Sequence, residues 1–257
     1  MVKTMTAKVL IIMPAYNEAM NLPHVLPELR KSLTQVDVVV VNDCSRDDTA
    51  NIARELGAQV VSLPCNLGYG GAVQTGYKYA VENDYDLAVM LDADGQHDPA
   101  CVLELMAPVL AGDTDVAIGS RFLGRMEYRT TWTRRLGMRL FGGIVALLTG
   151  KRITDPTSGF QALNREVLTF FANDNYPSDY PDADVLLLLH YAGFRFIEVP
   201  VCMRERIEGV SMHGKPWKAL YYIVKMVLSL GIIFLRQTTH SSARRPSVQT
   251  GARAQNQ

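Results

Sequence analysis

Asp92 and Asp94 stand one residue apart at the end of an apolar run, Leu87-Ala88-Val89-Met90-Leu91, and are followed by Gly95, Gln96 and His97. The run reads as a buried strand, and ligands of open α/β sheets gather at the carboxyl ends of strands. Two carboxylates so close repel unless a cation lies between them or nearby. A hard divalent ion takes oxygen ligands, and Mg²⁺ or Mn²⁺ held by one or two carboxylates usually shares a diphosphate. The spacing therefore predicts a metal–diphosphate site. The plainer alternative is a polar strand end without a ligand.

Two more polar clusters follow apolar runs. Pro14-Ala15-Tyr16-Asn17-Glu18 comes after the first, and Asn42-Asp43-Cys44-Ser45-Arg46-Asp47-Asp48-Thr49 after the second. A carboxylate in such a place accepts from ribose hydroxyls or a base N–H, and an aromatic can cover a ring. The same residue types also cap helices. Asp43 is read as a ligand contact, Asp47 and Thr49 as caps or first-turn charge. Asn66-Leu67-Gly68-Tyr69-Gly70-Gly71-Ala72 resembles a dinucleotide fingerprint but fails it, lacking the third glycine and not following the first strand. Its glycines are read as permitting a tight turn into the next helix, one that can lie near phosphate.

Alternating elements must carry these clusters. Strands are predicted over residues 9–13, 36–41, 59–63, 87–91 and 116–119, with helices over 18–33, 47–56, 72–83 and 99–110. The Val-rich second strand suits burial on two faces. This rhythm predicts a mostly parallel sheet with right-handed crossovers. After Arg121 it loosens into a basic helical stretch (133–148), a loop (155–160), a helix (183–192) and a strand (194–201).

The chain of 257 residues is 48% apolar, enough for a substantial core, and its formal net charge of +0 gives no general field for nucleic acid. Cys44, Cys65, Cys101 and Cys202 have no zinc or redox spacing and suit a reducing compartment. The first strand comes early, with no signal-peptide pattern before it, so a cytoplasmic body is expected. Near the end, Lys218 opens an apolar run closed by Arg236, at the lower edge of the ~17–25 residues that span a bilayer. Lys225 near its middle makes insertion costly, while Trp217, Tyr221 and Tyr222 suit an interface. A helix lying in the cytoplasmic leaflet or docking on a membrane partner is expected over one that spans the bilayer, with a core helix as the plainer alternative. The polar tail carries Arg244, Arg245 and Arg253 with no acid and is expected to be disordered.

The joint order of these motifs resembles a known family. Pro14-Ala15-Tyr16-Asn17-Glu18, Asn42-Asp43-x-Ser45-x-Asp47-x-Thr49, Asn66-x-Gly68-x-Gly70 and Asp92-Ala93-Asp94-Gly95-Gln96 are similar to the motifs of family-2 glycosyltransferases with the GT-A fold. Gly119-Ser120-Arg121, Asp155-x-x-Ser158-Gly159-Phe160, Glu198-Val199-Pro200-Val201 and Arg206-x-x-Gly209-x-Ser211 narrow the resemblance to the dolichol-phosphate mannose synthase and polyprenyl-phosphate glycosyltransferase branch.

The resemblance implies an α/β GT-A fold, a mostly parallel Rossmann-like sheet flanked by helices, with a C-terminal membrane-interfacial helix. Residues 1–125 would bind nucleotide sugar and metal, 126–213 the acceptor, 214–236 the membrane, and 237–257 would form the basic tail. Pro14, Tyr16, Glu18 and Asp43 would hold the nucleoside. Asp92 would contact the ribose–phosphate region, and Asp94 and Gln96 would ligate Mg²⁺ or Mn²⁺. Arg121, Arg135 and Arg206 would meet the donor diphosphate and the acceptor phosphate, although each has a plainer role as a surface cation or salt-bridge partner. Asp155 and Ser158 would orient sugar or acceptor, or only shape the turn. The implied donor is a UDP- or GDP-sugar and the acceptor a dolichyl or undecaprenyl phosphate. The implied place is the inner membrane face, with a separate membrane subunit as a possible partner. A phosphate acceptor is already ionised near neutral pH and attacks without a general base, giving inversion. The alternatives are transfer to a sugar hydroxyl, for which Asp155, Asp182 or Asp184 would have to serve as base, a nucleotidyltransferase, and a non-catalytic binding subunit.

Overall fold

The computed structural model describes residues 7–33, 36–123, 142–177, 181, 183–204, 228 and 231. Seven strands form one sheet in the order β3-β2-β1-β4-β6-β5-β7. They are β1 (Val9–Ala15), β2 (Asp37–Asn42), β3 (Gln59–Ser62), β4 (Leu87–Met90), β5 (Val116–Ser120), β6 (Gln161–Asn164) and β7 (Phe196–Pro200). All pairs are parallel except those β6 makes with β4 and β5. The sheet is thus mixed but mostly parallel, with helices on its two faces, as expected.

Alternation along the inner strands divides the core. Leu10, Ile12, Val39 and Val41 join one buried cluster, while Ile11, Met13, Val38 and Val40 join the other. Successive side chains of a strand point to opposite faces, so a continuous apolar run serves two layers. α3 (Gly68–Glu82) covers the first face, and α1 (Leu22–Ser32) and α4 (Val102–Leu110) the second. α3 lies close against β1: a Cβ on Gly76 would stand 2.3 Å from Ile12 Cγ2. Among the described residues there are four more α-helices: α2 (Thr49–Glu55), α5 (helical over residues 142–149), α6 (Arg165–Phe170) and α7 (Ala183–Tyr191).

Three expectations need correction. β6 was not foreseen; its Gln-Ala-Leu-Asn has no β-branched or aromatic residue, and its place is set by pairing with β4 and β5. α3 starts four residues earlier than predicted because Gly68, at φ +80°, turns the chain there and Asp43 caps it from another loop. α1 starts four residues later than predicted, after Asn17 takes φ +57° and with Pro23 in its first turn. One sheet draws strands from both expected halves of the catalytic domain. The expected segment 214–236 lies outside the described residues except for Leu228 and Gly231, and 237–257 lies wholly outside them. Among the described residues, no helix is long and apolar enough to cross a membrane.

Candidate active site

Parallel pairing brings three polar clusters to one sheet edge. Ala15 pairs with Asn42, and Ile12 with Met90, so the loops after β1, β2 and β4 emerge side by side. The first two loops lock together. Asn17 N–H donates to Ser45 Oγ at 3.0 Å, Glu18 N–H to Thr49 Oγ1 at 2.9 Å and Ala19 N–H to Asp47 Oδ2 at 3.2 Å. In return, Arg46 N–H donates to Asn17 Oδ1 at 2.8 Å. Asp47 and Thr49 therefore bind two loops to each other as well as starting α2.

Pro14 is buried within β1, whereas Tyr16 beside it is 43% exposed, with its ring at the edge. Glu18 Oε2 accepts from Asn21 Nδ2 at 2.5 Å. Asp43 is buried, and its carboxylate accepts from the N–H groups of Leu67 (2.7 Å) and Gly68 (3.0 Å). These two bonds pin the start of α3.

The carboxylate pair follows β4. Asp94 is buried and its Oδ1 accepts from Gln96 N–H at 3.0 Å, closing a turn in which Gly95 has φ +78°. Asp92 is held from two sides. Tyr69 donates its hydroxyl to Asp92 Oδ1 at 2.9 Å, and His97 Nδ1 accepts from Asp92 N–H at 3.0 Å. The His97 ring is buried and stacks on Phe160, with centroids 4.7 Å apart.

Arg121 and Asp155 meet in a buried ion pair, Nε to Oδ2 at 2.6 Å and Nη2 to Oδ1 at 3.2 Å, with Asp155 at 0% exposure. Of the two roles open to Arg121, this is the salt-bridge one: its guanidinium faces Asp155. Asp155 acts on the turn-shaping side of its two expected roles. Ser158 does the same, with Oγ accepting from Phe160 N–H at 3.3 Å. Glu198 fixes this loop from β7 by accepting from the N–H groups of Thr154 and Asp155, each at 2.8 Å. Farther along, Arg204 N–H donates to Gln96 O at 2.8 Å, and its guanidinium pairs with Glu28 at 2.8 Å and Asp98 at 2.9 Å. Arg135, Arg206 and Asp182 lie outside the described residues.

Tyr69, His97 and Glu198 were not singled out from the sequence as site residues. Tyr69 sits in a run read for its glycines, His97 reads as an ordinary residue after the carboxylates, and Glu198 reaches its partners only across 43 and 44 positions. Asp94 and Gln96 offer hard oxygen donors beside Asp92. Among the described residues, no group of three His, Cys, Asp or Glu side chains could hold a metal alone. Such a donor set fits a divalent ion whose shell is completed by a ligand's oxygens.

The glycosyl transferase family 2 model matches residues 10–171, which contain all three edge loops and the Asp155–Phe160 turn. The chain belongs to glycosyl transferase family 2. This glycosyltransferase is 33% identical to the polyprenol monophosphomannose synthase of Mycolicibacterium smegmatis, over 80% of this chain and 81% of that one. It is 33% identical to the undecaprenyl-phosphate mannosyltransferase of Micrococcus luteus, over 79% and 86% respectively. Its fold is similar to that of the glucosyl-3-phosphoglycerate synthase of Mycobacterium tuberculosis, crystallised with Mn²⁺, UDP-glucose and phosphoglyceric acid. The TM-score is 0.66 at 24% identity, covering 88% of this chain and 79% of that one.

The site of the glycosyltransferase carries an acid-sensitive element. Burial pushes the His97 imidazole down to about 4; Asp94 and Asp155 pull it up, and Arg121 pushes it down. The unfolded chain takes up this proton near pH ~6.5, so stability is complete above that value and is lost as pH falls toward the folded one. In chelator, the urea midpoint should therefore drop between pH 7 and pH 5, and His97→Asn should flatten that drop. Equal drops in the two proteins would refute the assignment.

Proposed function

We propose that this glycosyltransferase moves a sugar from a nucleotide-diphosphate sugar to a polyprenyl monophosphate, with inversion, at the inner face of a membrane. The observation that carries the reading is the state of Asp155. A hydroxyl acceptor needs a positioned base, and Asp155, the base candidate beside the carboxylates, is instead paired with Arg121 at 2.6 Å. Asp184, the other described candidate, is buried in α7. A phosphate monoester needs no such base, because its second pKa lies near ~6. The likeness to the polyprenol and undecaprenyl-phosphate enzymes supports the same acceptor class.

In this reading, the phosphate oxygen attacks the anomeric carbon and the bond to the nucleoside diphosphate breaks, leaving the electron pair on the leaving oxygen. A divalent ion, Mg²⁺ or Mn²⁺, held at Asp94 and Gln96 would supply charge compensation for the diphosphate. Asp92, fixed by Tyr69 and His97, orients the ribose–phosphate region, and the Tyr16 ring covers the base. The locked loops after β1 and β2 keep that edge rigid, so ordering is not repeated at each turnover. The segment 214–236 would rest on the cytoplasmic leaflet and bring the lipid to the edge.

The test is incubation of the purified protein with Mg²⁺ or Mn²⁺, a short-chain polyprenyl phosphate and a panel of labelled UDP- and GDP-sugars. A metal-dependent labelled lipid with inverted anomeric configuration is expected. Label found only on sugar hydroxyls, or a product that retains the donor's configuration, would overturn the reading.

A further inference from the structure

We infer that Tyr69 is a positioning residue for Asp92, and that the bare Cα of Gly159 is what gives the Tyr69 hydroxyl its room. The inference rests on the role proposed above for Asp92. Three separate segments meet at this point. Tyr69 is the second residue of α3, whose start is pinned by the Asp43 carboxylate at 2.7 and 3.0 Å from the N–H groups of Leu67 and Gly68. Asp92 follows β4, and Gly159 lies in the turn that precedes β6. The Tyr69 hydroxyl donates to Asp92 Oδ1 at 2.9 Å.

A Cβ on Gly159 would stand 2.7 Å from Tyr69 Oη and 3.9 Å from Asp92 Oδ2. The first distance is well inside contact range for a carbon and a hydroxyl oxygen; the second is ordinary packing. The nearest obstacle to a methyl group is the tip of a side chain and not the backbone, so Gly159→Ala would move the hydroxyl with little cost to the fold. The backbone of Asp92 is fixed independently, because its N–H donates to His97 Nδ1 at 3.0 Å. What the tyrosine adds is the setting of the carboxylate. Gly159 belongs to the half expected to bind the acceptor, while Asp92 and Tyr69 belong to the donor half. One hydrogen bond thus makes the geometry of the donor carboxylate depend on the turn at Ser158-Gly159-Phe160.

Tyr69→Phe removes one oxygen, and Gly159→Ala displaces the same oxygen, so the two should produce one lesion. A hydrogen bond to a charged group corresponds to roughly 10- to 100-fold in an equilibrium or rate. In the full chain, each variant should weaken Mn²⁺-dependent binding of UDP or GDP, or lower kcat, by about tenfold or more, with acceptor KM unchanged. The double variant should be no worse than the worse single variant. Wild-type binding and turnover in Tyr69→Phe, or losses that multiply in the double variant, would overturn the inference. A second readout needs no ligand and separates this inference from the functional reading. Tyr69→Phe and Asp92→Ala should be non-additive in unfolding midpoint, and Gly159→Ala should remove that coupling. Additive shifts would overturn the inference even if the wild-type protein bound neither nucleotide.

Discussion

Asp94→Asn is expected to stop transfer while the protein stays folded. The carboxylate lies at the loop after β4, buried beside Asp92, and its Oδ1 accepts from Gln96 N–H at 3.0 Å. An asparagine carbonyl accepts the same bond, so the turn through Gly95 survives. Losing one of two neighbouring negative charges also relieves repulsion, which keeps the stability change small. The chemistry is another matter. Losing an outer partner of a metal site costs about 10- to 100-fold, and a direct ligand more than that. Turnover should therefore fall by more than about a hundredfold at saturating Mg²⁺ or Mn²⁺. The denaturant midpoint should stay within that of ordinary surface changes, about 0.5 kcal/mol. Wild-type turnover at limiting metal would remove Asp94 from the site. Loss of turnover together with loss of fold would make it a structural residue.

The second large effect concerns stability. Arg121→Met leaves the Asp155 carboxyl at 0% exposure with its guanidinium partner gone. Removing one member of a buried pair costs about 3–5 kcal/mol, because the remaining charge has lost its compensation. That is a large part of the ~5–15 kcal/mol by which a domain is stable. The midpoint of chemical unfolding should fall accordingly. Changing the pair together, Arg121→Met with Asp155→Asn, should recover much of the loss, since no charge is then stranded. An Arg121 that served only the donor diphosphate would give the opposite pattern: weaker nucleotide binding in Arg121→Met with an unchanged midpoint. The double variant separates the two cases.

The arginine and the aspartate show where sequence reading works and where it stops. Asp92 and Asp94 could be put forward because neighbouring carboxylates after an apolar run carry a local electrostatic problem, and the problem itself points to a cation. Arg121 could not be assigned in this way. A cation is equally compatible with a phosphate and with a carboxylate 34 residues away, and only the folded chain brings Asp155 within 2.6 Å of it. Asp43 was ambiguous for the same reason, since its partners are 24 and 25 positions distant.

Local pattern determined the alternating strands and helices, because side-chain period and apolar run length act over a few residues. It determined the three edge loops as well, since in parallel strands every carboxyl end comes to one side. The joint order of motifs determined the family. Tertiary structure alone decided the rest. β6 is a strand through its antiparallel pairing with both β4 and β5, not because Gln161-Ala162-Leu163-Asn164 prefers one. Tyr69 and His97 hold Asp92, and Gly159 is bare beside them, because of contacts between segments that nothing in their own neighbourhoods announces. A hydrogen bond or an ion pair depends on distance in space, and a single sequence records distance only along the chain.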